Sequence, residues 1–332
     1  MARQLKISIV TPSFNQGEYI EQTIDSVLSQ NYPNLEYVII DGGSTDSSIE
    51  VIRKYEKYLH FWISEPDKGQ SHAINKGLNH LTGDVFNWLN SDDFYEQDTF
   101  SKVNEYFQDS KVNCLCGKSN LLDRSKVLQQ SPGTDLYPRN LAKTIGWSRI
   151  DQPETFFRTN TVQKMGSLNQ NFRYVMDREW WIRYLLLFGL DGVKKTNDIL
   201  VNFRLHQDSK TVSESDGFLE ESYQLWSDLT EQVEPKEVSK FFQSLTKKKE
   251  GVLDKSFYKT LKNQDIITPS AHYALLYLAD FFYYNGNLPK SKQALSLIDP
   301  SYLGQDKLLF DKLKFRNSIP FLKTAVNYFR GN

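Results

Sequence analysis

Residues 37–46 read Tyr37-Val38-Ile39-Ile40-Asp41-Gly42-Gly43-Ser44-Thr45-Asp46, in which strand-prone side chains run straight into an acidic, glycine-rich turn. A helical pattern follows, with Ile49 and Ile52 expected inward, so the stretch is one strand-turn-helix step. The same step precedes it. Ile7-Ser8-Ile9-Val10 is a strand closed by Pro12 and by Asn15-Gln16-Gly17, and Glu18 to Gln30 places Ile20, Ile24, Val27 and Leu28 on one helical face. It recurs downstream, where Phe61-Trp62-Ile63 leads to Asp67-Lys68-Gly69-Gln70 and a helix to about Asn79, and again where Val85 to Leu89 runs into Asn90-Ser91-Asp92-Asp93. Strands alternating with helices predict an α/β protein with a mostly parallel sheet covered on both faces. Polar residues at the strand C-termini then line the ligand crevice. Thr11, Asp41, Asp67 and Asp92 all stand at or just beyond such ends.

From about Lys111 the pattern changes to short strands and turns, punctuated by Pro132-Gly133, Pro138 and Gly146, before a strong helix from Val175 to Phe188 and a strand from Ile199 to Phe203. Ser209 to Gly217 is polar and reads as a boundary loop, beyond which the chain looks wholly helical. The spacing around Ala271 to Tyr284 and Pro289 to Leu297 suggests a helical hairpin of tetratricopeptide type, but a single copy establishes no repeat. Three parts are expected: 1–110 for nucleotide binding, 111–212 for the acceptor side, and 213–332 as a helical extension.

With 332 residues the chain is long enough for one large domain or two moderate ones. A formal net charge of -1 removes the electrostatic footprint of a dedicated nucleic-acid binder. The two cysteines, Cys114 and Cys116, fall on one face of an apolar strand, which argues for buried small residues rather than a disulfide or metal site. No signal-peptide pattern opens the chain, and no uninterrupted apolar run is long enough to cross a bilayer. A cytoplasmic protein is expected. The lysines of the C-terminal half, Lys247-Lys248-Lys249, Lys255, Lys259, Lys262, Lys312, Lys314 and Lys323, with Arg316 and Arg330, read as a solvated helical surface. Peripheral contact with an anionic membrane through these helices is the alternative.

Asp92-Asp93 after a strand suits a hard divalent cation, which carboxylates hold while leaving coordination positions open for phosphate and water. The same pair also suits capping of the following helix. Asp41 with Gly42-Gly43 has two compatible readings, a turn needing positive φ and a hydrogen-bond acceptor for a nucleoside. Neither a Gly-x-Gly-x-x-Gly fingerprint nor a P-loop occurs, which removes the main support for dinucleotide oxidoreductases and P-loop nucleotidases.

Five blocks occur in order: Val10-Thr11-Pro12-Ser13-Phe14-Asn15, Ile40 to Asp46, Ser64-Glu65-Pro66-Asp67-Lys68-Gly69-Gln70, Ala73-Ile74-Asn75-Lys76-Gly77 and Leu89-Asn90-Ser91-Asp92-Asp93. Together they resemble family 2 glycosyltransferases over about the first two hundred residues. That resemblance implies the GT-A fold, a Rossmann-like nucleotide-diphospho-sugar transferase architecture, here with a helical C-terminal extension. It also implies a nucleotide-sugar donor, Mg2+ or Mn2+, and inversion at the anomeric centre. Thr11, Pro12 and Asn15 would line the nucleobase pocket, Asp41 would meet base or ribose, and Asp67 with Gln70 would complete the nucleoside and phosphate side. Asp92 and Asp93 would carry the metal. Asn90 stands where a carboxylate is often found, which makes Asp92 the leading ligand.

By the same resemblance, Tyr174 to Trp181 looks like the family's acceptor helix, with Asp177 as general base and Glu179 second to it; the alternative for Asp177 is a helix cap. Trp180 and Gln152 would face the acceptor. His206, in the closing segment after Arg204, would reach the metal or diphosphate, and Arg204 with Lys210 would neutralise the leaving group. The function expected is an inverting, hexosyltransferase-like transfer from a nucleotide-diphosphate sugar, a UDP-sugar first, to a hydroxyl of a glycan, lipid-linked or protein acceptor, as in polysaccharide biosynthesis. The competing classes are a non-catalytic nucleotide-sugar-binding protein and a nucleotidyltransferase. Thr11 to Gly17, without Lys or Arg, weighs against the second.

Overall fold

The computed structural model describes residues 3–123, 126–147, 149–206, 214–231, 233–247, 251–254, 257–258, 260–261 and 263–319. Lys210, Lys248, Lys249, Lys255, Lys259, Lys262, Lys323 and Arg330, and most of the loop expected from Ser209, lie outside the described residues. The chain divides into two compact units, Met1–Asp135 with Arg149–Glu221, and Leu136–Ser148 with Ser222–Asn332.

The first unit opens with β1 (Ile7–Ser13), α1 (Ile20–Leu28), β2 (Leu35–Asp41), α2 (Ser48–Tyr55), β3 (Phe61–Ser64), α3 (Gln70–Leu78) and β4 (Val85–Trp88), the strand-helix alternation read from the sequence. β5 (Phe94–Tyr95), α4 (Thr99–Phe107), β6 (Cys114–Asp123), β7 (Lys126–Gln130), β8 (Thr155–Arg158), α6 (Thr159–Met165), α7 (Met176–Phe188) and β9 (Val193–Leu205) complete it, together with the start of α8 (Ser215–Leu229). Among the described residues the strands form one nine-stranded sheet in the order β3-β2-β1-β4-β8-β6-β9-β5, with β7 added on β6. β1 to β4 pair in parallel, and β8 runs antiparallel to both β4 and β6.

Alternation along the strands covers both faces of this sheet. Ile7, Ile9, Tyr37 and Ile39 pack with Ile20, Ile24 and Val27 of α1 and with Phe100, Val103 and Phe107 of α4. In α2 the inward pair is Val51 and Ile52, with Ile49 only half-buried, because the helix is rotated from the expected setting. On the other face, α3 lies so close to β1 that a Cβ on Gly77 would stand 2.5 Å from Val10 Cγ1. Gly77→Val is therefore expected to cost about 1–3 kcal/mol by overpacking, read as a lower denaturant midpoint with an unchanged slope. Cys114 and Cys116 are buried, unoxidised and on one face, with their sulfurs 3.8 Å apart.

The second unit holds α5 (Leu141–Trp147), α9 (Lys236–Leu245), α10 (Ile267–Tyr284), α11 (Leu288–Ser296) and α12 (Lys307–Ser318). The boundary expected at 212/213 falls at Glu221/Ser222, inside α8, and residues 136–148, expected on the acceptor side, belong to the helical unit. They do so because Asn140 donates to the Tyr273 hydroxyl (2.8 Å), Lys143 pairs with Asp306 (2.7 Å), and the rings of Trp147 and Tyr277 meet edge to face. α10 and α11 form the expected hairpin, tied where Ser291 Oγ donates to the Ala279 carbonyl. No helix among the described residues is long and apolar enough to cross a membrane.

Candidate active site

Register decides where the polar turns emerge. Ser13 pairs with Asp41 and Asp41 with Ser64, so β1, β2 and β3 end at one level and their loops share one rim. Four bonds staple the first loop to the second: Asn15 N–H to Ser44 Oγ (2.7 Å), Thr45 N–H to Asn15 Oδ1 (2.9 Å), Gln16 N–H to Ser48 Oγ (2.8 Å) and Gly17 N–H to Asp46 Oδ2 (2.8 Å). Asn15 makes its contact from the left-handed region, φ 53°, which asparagine tolerates better than most residues.

Asp41 does not face the crevice as expected for a nucleoside contact. It is fully buried and accepts from the N–H groups of Gly43 (3.1 Å) and Ser44 (2.9 Å) and from the hydroxyls of Ser44 (2.5 Å) and Ser64 (2.6 Å). Its work is to shape the turn, in which Gly43 takes φ +84°. Thr11 is likewise buried, its hydroxyl 3.1 Å from that of Tyr37, and Pro12 is buried beside it, so neither lines an open pocket. Asn15, Asp67 and Gln70 remain at the surface of the rim. Asp67 Oδ1 accepts the Gly69 N–H (2.7 Å) and its carboxylate packs on Gly42, where a Cβ would come within 2.9 Å of Oδ2. Gln70 Nε2 donates to Asn90 Oδ1 (2.6 Å), which ties α3 to the Asn90–Asp93 turn.

That turn presents its two aspartates in opposite directions. Asp92 is half-exposed, and its Oδ2 lies 3.0 Å from His206 Nε2. Asp93 is buried; Oδ1 accepts the Arg204 N–H (3.0 Å) and Oδ2 faces Asn90 Nδ2 (3.4 Å). Burial first, and then the neighbouring Asp92 charge, push the Asp93 carboxyl well above the usual range, against the opposing pull of Arg204 and Asn90. Asp93, expected as the second metal ligand, is held against the Arg204 backbone, while Asp92 stands half-exposed beside His206. No group of three or more His, Cys, Asp or Glu side chains among the described residues is arranged to hold a metal on its own. Asp92 with His206 nonetheless fits a cation that takes one or two protein ligands and completes its shell with diphosphate oxygens and water.

Two residues set this pair, and one of them gave no sequence signal. The Arg204 guanidinium donates to the Asp92 carbonyl and to Gln22 Oε1 and lies 4.7 Å over the Phe94 ring. Arg204, expected at the leaving diphosphate, is therefore engaged as the staple between the turn and β9. Tyr19, just before α1, packs its ring on that of His206, centroids 4.7 Å apart and planes tilted by 34°.

At the start of α7, Asp177 is half-buried and accepts the Arg178 N–H (2.7 Å). Burial pushes its carboxyl up to about 6, with the Asp151 charge adding to the rise and the backbone N–H groups of the helix start and the Arg178 charge opposing it. Asp151 is itself held by Ser131 Oγ and by Arg149 Nε at 3.2 Å. Glu221 Oε1 accepts the Arg173 N–H (2.8 Å), and its Oε2 accepts those of Tyr174 (2.7 Å) and Val175 (3.1 Å), which fixes the approach to the helix. Neither Asp151 nor Glu221 carries a local pattern that marks these roles.

The remaining acceptor-side expectations are corrected. Glu179 is wholly buried in a bidentate pair with Arg183, so it cannot reach an acceptor. Trp180 is 1% exposed, donates to the Gly166 carbonyl (3.0 Å) and packs among Phe86, Trp88 and Phe157. Gln152 is buried too, with Nε2 on Asn87 Oδ1 and on the Trp88 carbonyl, both 2.9 Å. It ties down the end of β4 at Asn87 and Trp88.

Comparison with known proteins agrees with this architecture. The family model "Glycosyl transferase family 2" matches residues 8–178, and the chain belongs to that family. It is 24% identical over 313 residues to an uncharacterized glycosyltransferase of Rickettsia typhi, covering 90% of this chain and 86% of the relative. It is 36% identical to the putative teichuronic acid biosynthesis glycosyltransferase TuaG of Bacillus subtilis, over 31% of this chain and 42% of that one. Among solved structures, S. aureus TarS 1-349 superposes with a TM-score of 0.55 at 15% identity, over 99% of this chain and 92% of the other. The mannosyltransferase PcManGT of Pyrobaculum calidifontis, in complex with GDP-Man and Mn2+, gives 0.52 at 15% identity, over 98% and 87%. Both likenesses show the shared GT-A fold.

Proposed function

We propose that this chain moves a sugar from a nucleotide-diphosphate donor to an acceptor hydroxyl with inversion, assisted by Mg2+ or Mn2+. The observation that carries the reading is the meeting of Asp92 and His206, 114 residues apart in sequence, at 3.0 Å beside the rim of strand-end turns. Asp92 Oδ2 and His206 Nε2 would hold the cation, which supplies charge stabilisation to the departing diphosphate. Asp177 takes the acceptor proton as the hydroxyl oxygen bonds to the anomeric carbon and the bond to the diphosphate breaks, and its raised affinity for protons suits that task near neutral pH. Asn15, Asp67 and Gln70 orient the nucleoside and phosphates from the rim. TarS has been solved with UDP-GlcNAc and PcManGT with GDP-Man, which supports a nucleotide-sugar donor; a UDP-sugar is the first candidate. The acceptor is a glycan, lipid-linked or protein hydroxyl, in the manner of polysaccharide biosynthesis.

Calorimetry against UDP, GDP and dTDP, with and without Mn2+, tests the donor site. One nucleotide is expected to bind in a metal-dependent way, and Asp92→Ala is expected to lose about tenfold in that metal-dependent affinity, the scale of one lost charge-assisted contact. A folded wild-type protein that binds none of the three would remove the reading.

A further inference from the structure

A cavity of about 350 Å3 opens in the first unit among α1, β5, β6, β7 and β9, with Gln22, Phe94, Glu96, Asn120, Val127 and Asn202 in its wall. Its size lies within the roughly 300–1,000 Å3 range of small-ligand sites. None of the expected donor, metal or base residues lines it. The polar wall is pre-ordered: Glu96 Oε1 accepts from Asn120 Nδ2 (3.0 Å) and Asn202 Nδ2 (2.9 Å), and Asn120 Nδ2 also reaches Asn202 Oδ1 (3.0 Å). These bonds leave Glu96 Oε2, Asn120 Oδ1 and one Asn202 N–H without partners among the described residues, so two acceptors and a donor stand fixed in direction. Phe94 and Leu122 supply apolar surface, as does the Tyr95 ring, whose hydroxyl is turned to Asn87 (3.1 Å).

The lining contains no Lys, Arg or His, which disfavours a phosphate or nucleotide. It holds a single carboxylate, with one oxygen already engaged by two amides, which disfavours a cation. Fixed planar acceptors and a donor beside aromatic and aliphatic surface match a ligand with several hydroxyls on an apolar ring. We propose that this cavity is a saccharide subsite that takes one sugar residue of a neutral glycan outside the donor crevice. It backs directly on the candidate metal turn. Gln22, in its wall, is bonded by the same Arg204 guanidinium that donates to the Asp92 carbonyl and covers Phe94. A sugar seated there therefore bears on the turn that positions Asp92.

Saturation-transfer NMR with the methyl glycosides of glucose, galactose, mannose and N-acetylglucosamine tests this on the full chain. At least one glycoside is expected to bind wild type and Asp92→Ala alike, which separates this site from the donor site whether or not nucleotide binds. Val127→Trp, made at an exposed position on the cavity wall, is expected to abolish that signal with an unchanged melting temperature. Amide shifts of the wild type on titration, expected at residues 94–96, 120–122, 127 and 202, give the same reading without any variant. Binding of none of the four glycosides, or shifts that leave those residues unmoved, overturns the proposal.

Discussion

Asp177→Asn is expected to lower transfer by about 10²–10⁴-fold, the usual contribution of a positioned general base, with nucleotide affinity unchanged because Asp177 belongs to α7 rather than to the strand-end turns. The pH profile distinguishes this from a loss of structure. In wild type, kcat should rise tenfold per pH unit and level off above about pH 6, where the carboxyl loses its proton. The asparagine variant should show residual activity without that limb. Stability moves the opposite way. A carboxyl whose proton affinity is raised on folding contributes stability that is fully present below its unfolded value of 3.8 and is lost as pH rises through about 6. Asparagine has no such charge to bury, so at pH 7 the variant should melt at the same temperature as wild type or above it. A variant that is inactive and also melts lower would assign Asp177 to the fold instead.

Arg183→Met is expected to destabilise the first unit by about 3–5 kcal/mol, because it leaves the Glu179 charge buried without its partner. The Glu179 side chain is 0% exposed and that of Arg183 9%, with the closest N–O distance 2.6 Å. The guanidinium also donates to the Met165 and Ser167 carbonyls, each at 2.7 Å, so the same change frees the end of α6. Chemical denaturation measures the loss. The double variant Glu179→Gln, Arg183→Met removes the stranded charge and should recover part of it. Equal losses in the single and double variants would trace the effect to the two lost carbonyl contacts alone.

These two experiments separate residues that look alike in sequence. Asp177 and Glu179 sit two apart at the start of one helix, yet helical rotation turns Glu179 toward Arg183 and the core while Asp177 stays accessible. Trp180 follows the same logic: with residues Glu179 to Leu186 buried without a break, α7 has no solvent stripe after its first turn on which to present an aromatic ring. The adjacent pair Asp92 and Asp93 divides in the same way, one oxygen set toward His206 and the other toward the Arg204 backbone.

The alternation of strands and helices over residues 7–89 was legible because it depends on local periodicity and on turn residues, both written in consecutive positions. The placement of Asp41, Asp67 and Asp92 at strand ends was legible for the same reason. Tertiary structure alone decided which polar residues stay open. Register set Asp41 between Ser13 and Ser64, where three residues of its own turn and neighbouring strand saturate it. The return of β9 brought Arg204 and His206 to the Asp92 turn, and α8 brought Glu221 to the approach of α7. The transfer of residues 136–148 to the helical unit rests likewise on contacts with α10 and with Asp306 that no local pattern announces. Composition and spacing determine which side chains are able to do chemistry near a strand end. Burial and long-range hydrogen bonding then determine which of them are consumed in holding the turns, because a buried polar group must find its partners inside the protein and is no longer offered to a ligand.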